Sequence, residues 1–137
     1  MAVNTQFSIA VHLLAGLGYR CDEDITSTRL AMSINTSPSF VRRTLAKLSK
    51  AGLIETSTGK SGACRLARDP NQISLRDVYL AVNAPKAFAI HQYADQKVCP
   101  VSCHIKSALE KALAKTQKAM ETRLGEISLA DILSDLC

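Results

Sequence analysis

A chain of 137 residues carrying a net charge of +5 has room for one domain and an attached helical arm, and none for a second, catalytic domain. Its residues are 47% hydrophobic but only 4% aromatic, with no Trp, which describes a helix-rich globular protein packed by Leu, Ile, Val and Ala rather than a strand-rich sandwich. No apolar run approaches the roughly 18 residues of a membrane span, and the first apolar stretch, from Phe7 to Leu17, lacks a basic flank and a cleavage site; no membrane partner and a cytoplasmic location are expected.

The first helix is expected over 6–17, where Phe7, Ile9, Ala10, Leu13, Leu14 and Leu17 recur at spacings of three and four, with Gly16 and Gly18 ending it. His12, inside this apolar stretch, reads as a satisfied core or interface residue. After the acidic loop Asp22, Glu23, Asp24, Thr26 or Ser27 caps a short second helix that buries Leu30, Ala31 and Ile34, and Asn35 and Thr36 form a turn. Ser37 and Pro38 start a third helix reaching about Ala51, because a serine oxygen can take free N–H groups while proline at the first helical position lacks only a donor that has no acceptor there. Val41, Leu45 and Leu48 form its apolar face, with Phe40 beside it; Ser39, Arg42, Arg43 and Lys47 fall on the other side, and Gly52 stops the helix.

Two strands follow, 53–57 and 63–67, joined by Thr58, Gly59, Lys60, Ser61 and Gly62, a linker that reads as a hairpin tip. A short helix is expected over 74–82 and a loop over 83–97. From Pro100 to about Leu124 a long helix carries Leu109, Leu113, Thr116, Met120 and Leu124 at near coiled-coil spacing, a stripe expected to pack on a second copy of the chain. Ser128 caps a last short helix, and no internal repeat is apparent. The expected division is 1–84 for the winged helix-turn-helix and 85–137 for the dimerisation region. The fold class is thus mainly α with a small β-hairpin wing.

Charge is concentrated. Between Thr26 and Arg68 eight basic residues face the single acid Glu55, a net +7 that leaves −2 for the other 94 residues. Confined positive charge on a helix-turn-helix followed by a glycine-tipped hairpin points to double-stranded DNA as the partner. A third helix fits the major groove, its first polar residues reach base edges, and its arginines meet guanine or phosphate; glycines at a wing tip allow close approach to the duplex. The expected DNA contacts are Ser37, Ser39, Arg42, Arg43, Lys47, Lys60 and Ser61. Arg65 and Arg68 flank the wing and could instead pair with Glu55 or Asp69. The five cysteines, at 21, 64, 99, 103 and 137, make a poor disulfide framework. Cys21, Cys64 and Cys137 read as fillers or exposed thiols without a role. Cys99 and Cys103 are candidates for redox or electrophile sensing, since Cys99 precedes Pro100 and falls at a helix N-terminus, where the dipole and free N–H groups favour an anion. Together with His91 and His104 they match no standard zinc site, so no metal and no cofactor are expected.

In the phrases SPSFVRRTLAKLSKAGLI (37–54), TGKSGACRLARDPNQISLRDVYLAVNA (58–84) and ISLADIL (127–133) the chain resembles the Rrf2 family of bacterial transcription regulators. The resemblance implies a dimer joined by the long C-terminal helix, with one winged helix per half-site. With Leu109, Leu113, Met120 and Leu124 as the seam of a homodimer, two-fold symmetry requires a palindromic operator, and a repressor is the expected role. Two departures stand out. The wing reads Gly62-Ala63-Cys64 where the family commonly has Gly-Gly-Tyr, and VCPVSCHI offers two cysteines where members that hold an iron–sulfur cluster carry three at wider spacing, so this chain resembles the cluster-free branch. A winged helix used as a protein-interaction module and an iron–sulfur-dependent regulator of the same family are the alternatives; an enzyme is not expected.

Overall fold

The computed structural model describes residues 5–19, 25–56, 63–94 and 97–136. Its elements run, in chain order, α1 (Gln6–Tyr19), β1 (Ile25–Thr26), α2 (Ser27–Ile34), α3 (Pro38–Lys50), β2 (Ile54–Thr56), β3 (Ala63–Leu66), a single 3-10 turn (Pro70–Gln72), α4 (Leu75–Ala81), α5 (Pro100–Gly125) and α6 (Leu129–Ser134). It is a winged helix-turn-helix with a long C-terminal helix.

Local chemistry accounts for most boundaries. Thr26 accepts the Arg29 N–H at the head of α2, and Asn35 ends that helix in the left-handed region, which a short polar side chain tolerates. Ser37 accepts the Phe40 N–H with Pro38 in the first turn, and Gly52, at φ +79°, turns the chain out of α3. The glycines of α1 behave differently from expectation: the helix passes through Gly16 and Gly18 and continues to Tyr19. Packing explains the exception, because a Cβ at Gly18 would lie 2.8 Å from Leu133 Cδ1, so the missing side chain is the space into which α6 fits.

β3 is the central strand of a three-stranded antiparallel sheet, flanked by β1 and β2, with Ile25 opposite Cys64 and Glu55 opposite Arg65. The β1 strand was not anticipated: two residues are too few for any periodicity. Leu13, Leu14, Leu17, Val41, Leu48, Leu53, Ile73, Val78 and Leu129 are fully buried in one core. Thr44, on the buried side of α3, joins them, its hydroxyl satisfied by donating to the Phe40 carbonyl at 3.0 Å.

Leu129 belongs to α6, so the core draws on both sides of the expected boundary at residue 84. The junction is a pair of matching segments, Ile73-Ser74-Leu75-Arg76-Asp77 and Ile127-Ser128-Leu129-Ala130-Asp131, a short repeat not recognised in the sequence. Each builds a capping box, Ser74 with Asp77 and Ser128 with Asp131. The two serines form an isolated antiparallel bridge, with Leu75 N donating to Ile127 O at 2.9 Å and Leu129 N to Ile73 O at 2.7 Å.

Residues 84–94 contain no helix or strand, as expected for a loop, yet they are tied along α5. Gln117 accepts from the Ala87 N–H at 3.0 Å and donates to the Tyr79 hydroxyl at 2.8 Å, which itself donates to the Pro85 carbonyl. Tyr93 donates to the Ser102 carbonyl in the first turn of α5 and lies under Lys106 Nζ, 4.9 Å from its ring centre.

Candidate nucleic-acid interface

The core-facing side of α3 is Val41, Thr44, Leu45 and Leu48. Apart from Pro38 and the half-buried Phe40, what remains is polar or small; it contains no carboxylate and divides into two flanks. On one, Arg43 is exposed with its guanidinium carbon 5.6 Å from the centre of the half-buried Phe40 ring, and Lys47 lies one turn on, half-buried. On the other, Arg42, Ala46, Ser49 and Lys50 face the sheet. There they line a groove of about 520 Å³ together with Ser27 at the start of α2, Leu45, Thr56 on β2 and Cys64 on β3. Ser39 is exposed between the flanks near the helix start, and Ser37 is exposed while its hydroxyl serves as the N-cap.

Of the expected DNA contacts, Ser37, Ser39, Arg42, Arg43 and Lys47 are thus brought together on one helix. Lys60 and Ser61 lie outside the described residues, as do Cys21, Cys137 and the acidic stretch 22–24. The neighbouring arginines resolve in a way the sequence left open: Arg68 Nη1 lies 3.7 Å from Asp77 Oδ2, rather than pairing with Glu55 or Asp69, and Arg65 stands across the ladder from Glu55. Sequence reasoning did not pick out Ser27, Ser49, Lys50 and Thr56 as a group, because the groove they share is made by elements that meet only in three dimensions.

Farther away, Cys99 caps α5, its sulfur accepting the Ser102 N–H at 3.4 Å, while the Cys103 N–H donates to the Cys99 carbonyl at 3.1 Å. Both thiols are half-buried and neither is in a disulfide. Cys64, on β3, is buried, and desolvation raises its thiol above the usual cysteine range. His12 is exposed and within 3.3 Å of the Ser33 hydroxyl, not in the core. Leu109, Leu113, Met120 and Leu124 are all half-buried and Thr116 is exposed; no residue of α5 is fully buried. The chain itself covers part of this stripe, since α4 packs on α5 and Leu113 shares a groove with Phe88 and Ile90.

The Rrf2 family model, described as that of an iron-dependent transcriptional regulator, matches residues 3–135. The chain belongs to the Rrf2 family. It is 37% identical over 135 residues to YwnA of Bacillus subtilis (strain 168), which is named as an HTH-type transcriptional regulator, with 98% of both chains covered. To the HTH-type transcriptional regulator NsrR of Geobacillus kaustophilus (strain HTA426) it is 28% identical over 140 residues, covering 98% of this chain and 91% of that one. A crystal structure described as that of a DNA-binding protein superposes with a TM-score of 0.75 at 35% identity, over 93% of this chain and 98% of its own. This Rrf2 chain is a DNA-binding transcription regulator and not an enzyme. Among the described residues no helix is long and apolar enough to cross a membrane.

Iron is part of the family's description, and the donors among the described residues do not fit it. Cys99 and Cys103 stand one turn apart, Cys64 is buried on β3, and among the described residues no three His, Cys, Asp or Glu side chains are placed to hold an ion. Two thiolates are too few for an iron–sulfur cluster.

Proposed function

We propose that this Rrf2 protein is a cytoplasmic repressor of the branch without an iron–sulfur cluster, acting as a homodimer on a palindromic operator, with Cys99 and Cys103 as its signal-receiving thiols. One observation carries the DNA-contacting part: a helix that exposes Arg42 and Arg43, bears no carboxylate and lies beside a small antiparallel sheet. Base edges are read by Arg and by short polar side chains near the start of such a helix, which assigns Ser39, Arg42, Arg43 and Lys47 to the duplex and Lys60 and Ser61 to its wing contact. Substitution of Arg42, Arg43 and Lys60 together by Ala removes the electrophoretic shift of a duplex selected by the unmodified protein; retention of the shift overturns the assignment.

Dimerisation is assigned to α5. Beside the stripe of Leu109, Leu113, Met120 and Leu124, the helix offers Val101, Ala108 and Ala112 to solvent, Val101 at 67% exposure, and small side chains let two helices approach closely. A two-fold pair places its half-sites about one or two helical turns apart.

The thiol assignment rests on position. Cβ atoms four residues apart on a helix are about 5–6 Å from one another, beyond the roughly 3.8 Å of a disulfide, so bridging Cys99 to Cys103 with loss of two electrons to a peroxide or hypochlorite unwinds the first turn of α5. That turn is where Tyr93 is hydrogen-bonded. Peroxide treatment is expected to release DNA from the unmodified protein and not from the Cys99→Ser variant; equal release from both overturns the thiol role.

A further inference from the structure

We propose that the groove between α3 and the sheet seats one sugar-phosphate strand of the duplex, so that α3 is divided lengthwise into a flank that holds the backbone, Arg42, Ser49 and Lys50, and a flank that reads bases, Arg43 and Lys47. This deepens the DNA-binding reading and rests on it.

The lining has the chemistry of a polyanion seat. Arg42 and Lys50 supply two cations, Ser27, Ser49 and Thr56 three hydroxyl donors, and no carboxylate is among the lining residues. Three further grooves differ: the one along α5 contains Glu110 and Glu121, the one beside Arg65 and Arg68 contains Asp69, and the one between α1 and α2, free of carboxylates, offers Arg29 as its single Arg or Lys side chain among mainly apolar neighbours. Shape agrees with charge. Ala46 on α3 and Cys64 on β3 are small, which favours the close approach of a chain of phosphates. Ser27 is the first residue of α2, and the opening N–H groups of a helix, with its dipole, favour an anion.

The groove itself divides α3. Ala46 and Ser49, four and seven residues after Arg42, share its face, and Lys50 at the end of the helix also lines the groove towards β2 and β3, whereas Arg43 and Lys47 do not. Arg43 is turned away from that groove and held over Phe40, which limits the freedom of its guanidinium before it meets a base edge. Phosphate contacts fix position without carrying sequence information, whereas a bidentate arginine on guanine carries it. Arg42 and Arg43, adjacent in sequence, therefore do different work.

The test uses the full chain, a duplex selected from a random library by the unmodified protein, and a shuffled duplex of the same composition, with affinity measured against salt. Arg42→Ala and Lys50→Ala are each expected to weaken both duplexes by the same factor and to lower the salt slope by about 0.9. Arg43→Ala leaves most of the slope and weakens the selected duplex about fivefold to a hundredfold more than the shuffled one. Arg42→Lys restores the slope. All three residues are exposed, so thermal melting of all variants should match that of the parent. The groove assignment is overturned if Arg42→Ala erases the preference for the selected duplex or if Lys50→Ala leaves the slope unchanged; an unmodified protein that retains neither duplex overturns the DNA reading as well.

Discussion

Burial separates Cys64 from the two thiols at the start of α5. A thiol raised by desolvation stays protonated in the folded chain where the unfolded chain would already have lost its proton. Its contribution to stability is full below the ordinary thiol range and is lost as pH rises through the raised value. Chemical denaturation at increasingly alkaline pH should show this loss, and Cys64→Ala should flatten it. In a background with Cys21 and Cys137 replaced by Ser, a disulfide reagent should modify two thiols quickly, Cys99 and Cys103, and the third only on unfolding; fast modification of all three would contradict the burial of Cys64. Gly52 is a second residue whose backbone decides its identity. At φ +79° a Cβ is strained, so Gly52→Ala should cost about 1 kcal/mol in equilibrium unfolding without altering the protein's secondary structure.

Helices α2, α3, α4 and α6 start where their capping side chains are, which is why these boundaries could be read from residues in sequence order. Ser37 with Pro38 is a local signal: donor, acceptor and turn lie within four residues. Non-local features were not legible in this way. β1 exists because Ile25 and Thr26 find Cys64 and Ala63, nearly forty residues later. Thr44 reads as polar, yet it is buried because its hydroxyl returns to the carbonyl one turn back. The segment after α4 shows no period because its order comes from single side chains on α5, Gln117 above all, and not from a repeating pattern of its own. The site was legible to the same extent: charge and helix position pointed to Arg42 and Arg43, while the groove that distinguishes them required the sheet. Removing a tie of this kind has a measurable consequence. Gln117→Ala should increase amide hydrogen exchange around Ala87 while leaving α3 as protected as before; unchanged exchange there would show the hydrogen bond to be dispensable.

At the scale of the whole chain, light scattering at micromolar concentration should give twice the monomer mass, and Ala108→Glu with Ala112→Glu should halve it; a parent of monomer mass removes the proposed symmetry. The pairing of the two Ile-Ser-Leu segments also decides when the DNA-contacting helix acquires a rigid support. Leu129 is completely enclosed, and truncating it to Ala should cost about 2–5 kcal/mol. Deleting residues 127–136 does more, since it strips Ile73 and Gly18 of their neighbours and leaves the first bridge segment without its partner. A fragment ending at residue 84 should therefore melt without a cooperative transition, although it contains every residue assigned to DNA. The recognition helix thus precedes by nearly eighty residues the segment that closes the core holding it. A chain without that segment has the charge to attract DNA and not the rigidity to read it.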